Sequence, residues 1–299
     1  MFRTLYVANG ETITVKDNWL VVTTAEQTVK VPLEDLQTVI IDNVHTMFSA
    51  YALHKLAENH VNTVICDSSH LPACNIMGLN NHYRPYGMLK KQLALTEGFK
   101  ALLWQRIVKA KIINQRQALL LQQELPAVTN RMRQLADEVL AGDTGNREAI
   151  AAKMFFKYFY GMDFQRFADD IRNAALNYGY AIIRSAVARS LCAYGYNCAL
   201  GIHHISETNA FNLADDFMEP LRPLADLWVW QNNEDLAEEL SRSNKTGLAN
   251  ILHQEVVLAG KKMKVFNAID KYIASIGTAI DSNDVNKLLL PCIGADYGK

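Results

Sequence analysis

KKQLALTEGFKALLWQRIVKAKIINQRQALLLQQE, residues 90–124, sets the character of everything downstream of it. Leu95, Phe99, Leu102 and Leu103 recur at three- and four-residue spacing. Lys100, Arg106, Lys109, Lys111 and Arg116 fall mostly off that stripe, which is the pattern of a long amphipathic helix. Pro126 marks a break near its end. The preceding stretch, NIMGLNNHYRPYGM, is rich in Gly, Asn and Pro without periodicity and reads as a linker over 76–88. Upstream, TLYVANGETITV predicts a hairpin turning on Asn9-Gly10, and NWLVVTT, QTVKVPL, LQTVIID and VNTVICD follow as strands. One helix interrupts them at 47–59, with Phe48, Tyr51, Ala52 and Leu56 at helical spacing. The expected fold is therefore α+β: a small strand-rich N-terminal domain (1–75), the linker, and a larger all-helical domain (89–299).

Composition fits a globular chain of this size, with 49% hydrophobic and 20% charged residues in 299. No apolar run reaches the ~18 residues of a membrane span, and the first residues lack the apolar core of a signal peptide, so a cytoplasmic protein without membrane contact is expected. The five cysteines show no C-x-x-C pair, which argues against a disulfide framework or zinc knuckle and for buried thiols. The net charge of −1 conceals a segregation: residues 1–75 carry −4, 76–200 carry +8 and 201–299 carry −5. A basic middle third is a surface suited to phosphates, or to pairing with the acidic thirds. His45, His54, His60 and His70 lack metal-ligand spacing. The N-terminal segment, acidic and without a ligand cluster, reads as an assembly element.

Chemistry concentrates later. FNLADDFMEPLRP, residues 211–223, packs Asp215, Asp216 and Glu219 into one turn, where like charges at helical spacing repel. Arg222 neutralises only part of that charge, and a divalent cation would neutralise the rest. Pro220 lacks an N–H and re-aims Glu219. Glu148 opens a helix after Gly145, with Asn146 or Thr144 as N-cap, and shares its face with Ala152, Phe155 and Phe159. A carboxylate on an apolar stripe needs a partner. Taken locally, these acids also suit a solvated face or a helix dipole. Asn173, Asn177, Tyr180 and Arg184, on a helix expected from about 165 to 193, form a polar stripe suited to phosphate contacts. His203 and His204 precede the acidic turn. Two carboxylates and an imidazole are enough for a catalytic metal with open positions, Mg²⁺ or Mn²⁺ before zinc. Hydrolase and nucleotide-binding signatures are missing: there is no G-x-S-x-G, no S-x-x-K to accompany Lys245-Thr246-Gly247, and no P-loop.

GNREAIAAKMFFKYFY, NAALNYGYAIIRSAVARSL, ALGIHHISETNAFNLADDFMEPLRPLAD and PLEDLQTVIIDN resemble the CRISPR-associated integrase of the spacer-acquisition complex, closest in wording to its type II branch. The likeness covers almost the whole chain. It implies a helical catalytic domain with a Mg²⁺ or Mn²⁺ ion held by Glu148, His204 and Glu219, His204 being preferred over His203 on the fifteen-residue separation from Glu219. It also implies a homodimer, two of which flank a dimer of a small companion subunit to hold a protospacer duplex, with other type II CRISPR proteins as candidate partners. The implied reaction is attack by the 3′-hydroxyl of captured DNA on a phosphodiester of the CRISPR repeat. A DNA-binding architectural protein without catalysis, and a metal-dependent nuclease on branched DNA, are the alternatives.

Overall fold

The computed structural model describes residues 3–9, 11–78, 82, 84–123 and 125–294, and the chain forms two compact units, Met1–Pro85 and Tyr86–Lys299. In the first, β1 (Arg3–Val7), β5 (Leu36–Ile41), β7 (Asn62–Cys66) and β8 (Pro72–Ile76) make one sheet in the order β1-β5-β7-β8. β1, β5 and β7 run parallel, and β8 is antiparallel to β7. A second sheet, in the order β4-β3-β2-β6, holds β2 (Thr12–Lys16), β3 (Trp19–Thr23), β4 (Thr28–Pro32) and β6 (Met47–Phe48).

The expected hairpin between the first two strands does not form. β1 pairs with β5 in the first sheet and β2 pairs with β3 in the second; Gly10 itself lies outside the described residues. The tight two-residue turn is instead Asp17-Asn18, at φ 51° and 60°, which short polar side chains tolerate. β8 was not expected from the sequence. β5 is buried along its whole length, as a strand flanked on both edges must be. Val39 and Ile41 join Ile13, Leu20 and Val22 of the other sheet, and Ala52 and Leu56 of helix α1 (Ala50–Glu58), in one core. Ser49 caps α1 by accepting from the Ala52 amide at 3.1 Å.

The second unit begins earlier than the linker reading allowed, because α2 (Pro85–Leu93) occupies its last residues. Thr96 then caps α3 (Glu97–Leu121), accepting from the Phe99 amide at 3.2 Å, so the long stripe is two helices rather than one. α4 (Pro126–Asp137) starts on the proline taken as a break. α5 (Arg147–Tyr160), α6 (Ile171–Ala193), α7 (Asn212–Met218), α8 (Arg222–Gln231), α9 (Arg242–Ala249) and α10 (Val265–Ser282) complete the helices. α6 starts later than expected, capped by Asp170. One antiparallel hairpin, β9 (Glu255–Leu258) with β10 (Lys261–Lys264), interrupts the helices; it turns on Ala259-Gly260, both at positive φ, and the all-helical expectation overlooked it.

α7 and α8 are separated by a single 3₁₀ turn, Glu219–Leu221, placed where Pro220 denies the helix a donor. Glu219 keeps helical dihedrals (φ −52°, ψ −43°), so the proline changes the hydrogen bonding rather than the local backbone. All five cysteines are free thiols. No helix among the described residues is long and apolar enough to cross a membrane.

Leu56→Ala, in the core of the first unit, is expected to lower that unit's unfolding free energy by about 2–5 kcal/mol in urea titrations. Tyr51→Ala, on the exposed side of the same helix, should change it by less than about 0.5 kcal/mol.

Candidate active site

α3 forms the wall of the site. Trp104 and Lys111 are two helical turns apart and share a face, and both are almost fully buried. Lys111 was expected on the polar side of this helix. Its neighbours one turn either way are instead Ile107, Val108, Asn114 and Gln115, every one of them buried, and a lone ammonium there requires anions. It has two: Nζ lies 2.6 Å from Glu148 Oε1 and also ion-pairs with Glu219 Oε2. Glu219 Oε1 accepts from Arg222 Nε at 2.7 Å. Two carboxylates 71 residues apart in sequence thus meet on one cation.

Each is held from behind. Asn146 occupies the N-cap position of α5, as expected, but makes no side-chain capping bond; Asp143 supplies it, its carboxylate accepting from the amides of Arg147 at 2.8 Å and Glu148 at 2.9 Å. This places Glu148 in the first turn. Asn114, buried on α3, donates to the carbonyls of Pro220 at 2.7 Å and Pro291 at 3.0 Å, tying the 3₁₀ turn of Glu219 to the wall. Burial opposes the charge on Glu219, but Arg222 and Lys111 outweigh it and hold its carboxyl below the usual range. Burial likewise opposes the charge on Lys111, and Glu219 and Glu148 together keep its pKa above the ordinary value.

The three acids of the turn do not share one ion. Asp216, with no exposed surface, accepts from the amides of Ile202 (2.6 Å), His203 (3.2 Å) and His204 (3.0 Å), and bonds His204 Nδ1 at 2.7 Å. Asp215 accepts from Asn209 at 2.7 Å and lies 3.9 Å from Arg184. Their repulsion is relieved by divergence onto separate partners. His203 stacks on Trp104 at 4.1 Å, and His204 meets the same indole edge-on at 5.8 Å. With Nδ1 engaged by Asp216, only Nε2 of His204 is left to ligate. The Asp216 hydrogen bond raises the His204 pKa, burial lowers it, and the charges of Asp216, Glu219 and Asp215 raise it further.

The fit to a divalent ion is therefore good for two of the three expected ligands. Glu148 and Glu219 present oxygens to a common cationic atom, the hard-donor set that Mg²⁺ and Mn²⁺ take. Among the described residues, no group of three or more His, Cys, Asp or Glu side chains is arranged to hold a metal ion.

The polar stripe of α6 is largely internal. Asn173 is buried and donates to the carbonyls of Gln165 (2.8 Å) and Ala168 (3.0 Å), bracing the loop before the helix. Tyr180 is buried beneath Arg222, 4.7 Å from its guanidinium, and donates to Asp226 at 2.9 Å. Burial pushes Asp226 up to about 7, against the pull of Tyr180, Arg166 and Arg222. Asn177 is exposed and accepts from Arg166 at 2.7 Å, and Arg184 is half-buried over Phe211. Only these two keep an outward face. The sequence reading missed Lys111, Asn114, Asp143, Trp104 and Asp226. The test applied to Glu148, which asks what lies three and four residues away, finds Lys111 as well.

A sequence model of the family described as CRISPR associated protein Cas1 matches residues 5–256. The chain is 40% identical over 295 residues to a CRISPR-associated endonuclease Cas1 of Neisseria meningitidis serogroup C (strain 8013), covering 97% of this chain and 96% of the relative. Among solved structures, a casposase bound to integration product superposes with a TM-score of 0.75 at 17% identity, over 100% of this chain and 96% of the casposase. A chain of a Cas6-RT-Cas1–Cas2 complex superposes with a TM-score of 0.74 at 20% identity. It covers 99% of this chain, which spans 36% of that larger one. At these identities the two superpositions establish the fold.

The His204–Asp216 pair predicts a pH dependence in EDTA. A histidine whose folded pKa is raised contributes stability fully below its unfolded value, near 6.5, and loses it as pH rises through the folded value. His204 should titrate above 6.5 in ¹⁵N-detected NMR. The stability difference between wild type and His204→Gln should be largest below that pH and shrink above it. A His204 titrating below 6.5 would contradict the pairing.

Proposed function

The chain belongs to the CRISPR-associated Cas1 protein family, and from that membership we propose that it is a metal-dependent DNA integrase and endonuclease that inserts protospacer DNA into a CRISPR array. The observation that carries this reading is the meeting of Glu148 and Glu219 on a single cation, Lys111, beside a histidine held by Asp216. In the proposed reaction a 3′-hydroxyl of the captured duplex attacks a repeat phosphodiester, and a 3′-hydroxyl leaves. A Mg²⁺ or Mn²⁺ ion, when bound, supplies Lewis-acid polarisation of the phosphate.

The chain's own residues do the rest. Glu148 and Glu219 supply two anionic oxygens fixed by Asp143 and Asn114. Asp216 orients His204 and leaves Nε2 to ligate. The Asn114 bond is buried and the Asp143 and Asp216 bonds are part-buried, and in-line transfer depends on such positioning. The +8 middle third supplies the field that draws duplex DNA, through exposed groups such as Lys153 and Lys157. The likeness to a casposase described as bound to integration product, and to a complex named for Cas1 and Cas2, supports double-stranded DNA and a small companion subunit as partners. We assign the first unit to assembly, in a homodimer and with that subunit.

Hydrolysis of branched DNA uses the same residues, and the Neisseria relative is named an endonuclease. Water and a 3′-hydroxyl compete for one site. A labelled duplex incubated with a repeat-bearing plasmid separates joined from cut products. Glu148→Ala and Glu219→Ala are each expected to lower strand transfer about a hundredfold or more, with duplex binding at matched salt almost unchanged. His204→Ala should match them and His203→Ala should be milder. Full transfer by Glu148→Ala would remove the site, and equal losses of binding and transfer in all four would favour an architectural protein.

A further inference from the structure

The proposed metal ligands already carry a cation, and that cation belongs to the protein. Lys111 Nζ is 2.6 Å from Glu148 Oε1 and in contact with Glu219 Oε2. A Mg²⁺ ion binds carboxylate oxygens at about 2.0–2.1 Å. An ion on those two oxygens and an ammonium on the same two oxygens would overlap. Charge gives a second reason: Glu148, Glu219, Lys111 and Arg222 sum to zero, so an arriving divalent ion finds no net negative charge unless a cation leaves. Arg222 is the poorer candidate. It pairs with the other oxygen of Glu219 and its guanidinium rests on the Tyr180 ring, whereas Lys111 has a flexible four-carbon stem.

The geometry points to Lys111 as a resident counter-ion of the active site, one that holds Glu148 and Glu219 together in the metal-free protein and is displaced by the incoming metal. This rests on the metal-site reading above. Lys111 thereby sets metal affinity, since every binding event must break its two ion pairs. It also explains how a buried carboxylate such as Glu219 survives synthesis and storage without metal. An unpaired carboxylate at that depth would destabilise the turn that carries it. In the metal-bound protein the displaced ammonium remains beside the reacting centre, where phosphate is its natural partner.

Two measurements on the full chain test this. Isothermal titration of Mn²⁺ into wild type and Lys111→Met should show about tenfold or greater tightening in the variant, because the ion no longer has to break the two ion pairs of Lys111. In EDTA the variant should melt below wild type, and saturating Mn²⁺ should raise its Tm by more than it raises the wild-type Tm. Should Lys111→Met not fold, peptide-resolved acylation of amines in wild type decides: labelling of Lys111 should rise several-fold on adding Mn²⁺, with Lys109 as internal control. Mn²⁺ binding to wild type with unchanged or weaker affinity in a folded Lys111→Met, or Lys111 labelling insensitive to Mn²⁺ that binds, would overturn the role of the lysine alone. Absence of Mn²⁺ binding to both proteins would overturn the metal site itself.

Discussion

A buried carboxylate needs a cationic partner, and in this protein Lys111 supplies one to the buried Glu219 while also pairing with the half-buried Glu148. The consequences run outward along α3. The helix is buried on the face that carries the lysine, where Trp104, Ile107 and Asn114 also lie, and two of these, Trp104 and Asn114, find a task at the site. Trp104 backs the two histidines, and Asn114 holds the Pro220 carbonyl beside Glu219. The longest helix among the described residues, α3, is also the one that carries Lys111, Trp104 and Asn114.

Divergence of the acids is the second organising feature. Asp215, Asp216 and Glu219 are neighbours on one turn and would repel on a free helix. The proline at 220 ends α7, and the three side chains go to different partners: a guanidinium and an amide, a run of backbone amides with an imidazole, and the lysine–arginine pair. Asp216 in particular is a loop anchor, gathering three successive amides so that His204 arrives with one ring nitrogen committed. The Arg222–Tyr180–Asp226 chain behind Glu219 extends the same buried polar network into α6 and α8.

The division into a strand-rich and a mainly helical half was legible because periodicity is local, and so was the need of Glu148 and Glu219 for a partner. What was not legible depended on pairing at a distance. Asn9-Gly10 is a strong hairpin signal, yet β1 is claimed by β5 in parallel, a pairing that no local pattern encodes. Asn173 and Tyr180 are polar and evenly spaced, which looks like an exposed stripe, until the loop at 165–168 and Asp226 close over them. Asp143, three residues before the Asn146 N-cap, supplies the capping bonds that Asn146 does not make, a reach that residue type at the cap does not reveal. Lys111 was overlooked for a simpler reason: a charged residue on an amphipathic helix was assigned to the polar face by type rather than by its neighbours.

The most direct test of this account is a crystal structure of the full chain grown with Mn²⁺, with data collected for the anomalous signal of manganese. The account predicts a single peak between the carboxylates of Glu148 and Glu219, with His204 Nε2 in its coordination shell, Nδ1 still on Asp216, and the Lys111 ammonium moved off both carboxylates. A peak elsewhere on the chain, or Lys111 still bridging Glu148 and Glu219 with manganese bound, would contradict it.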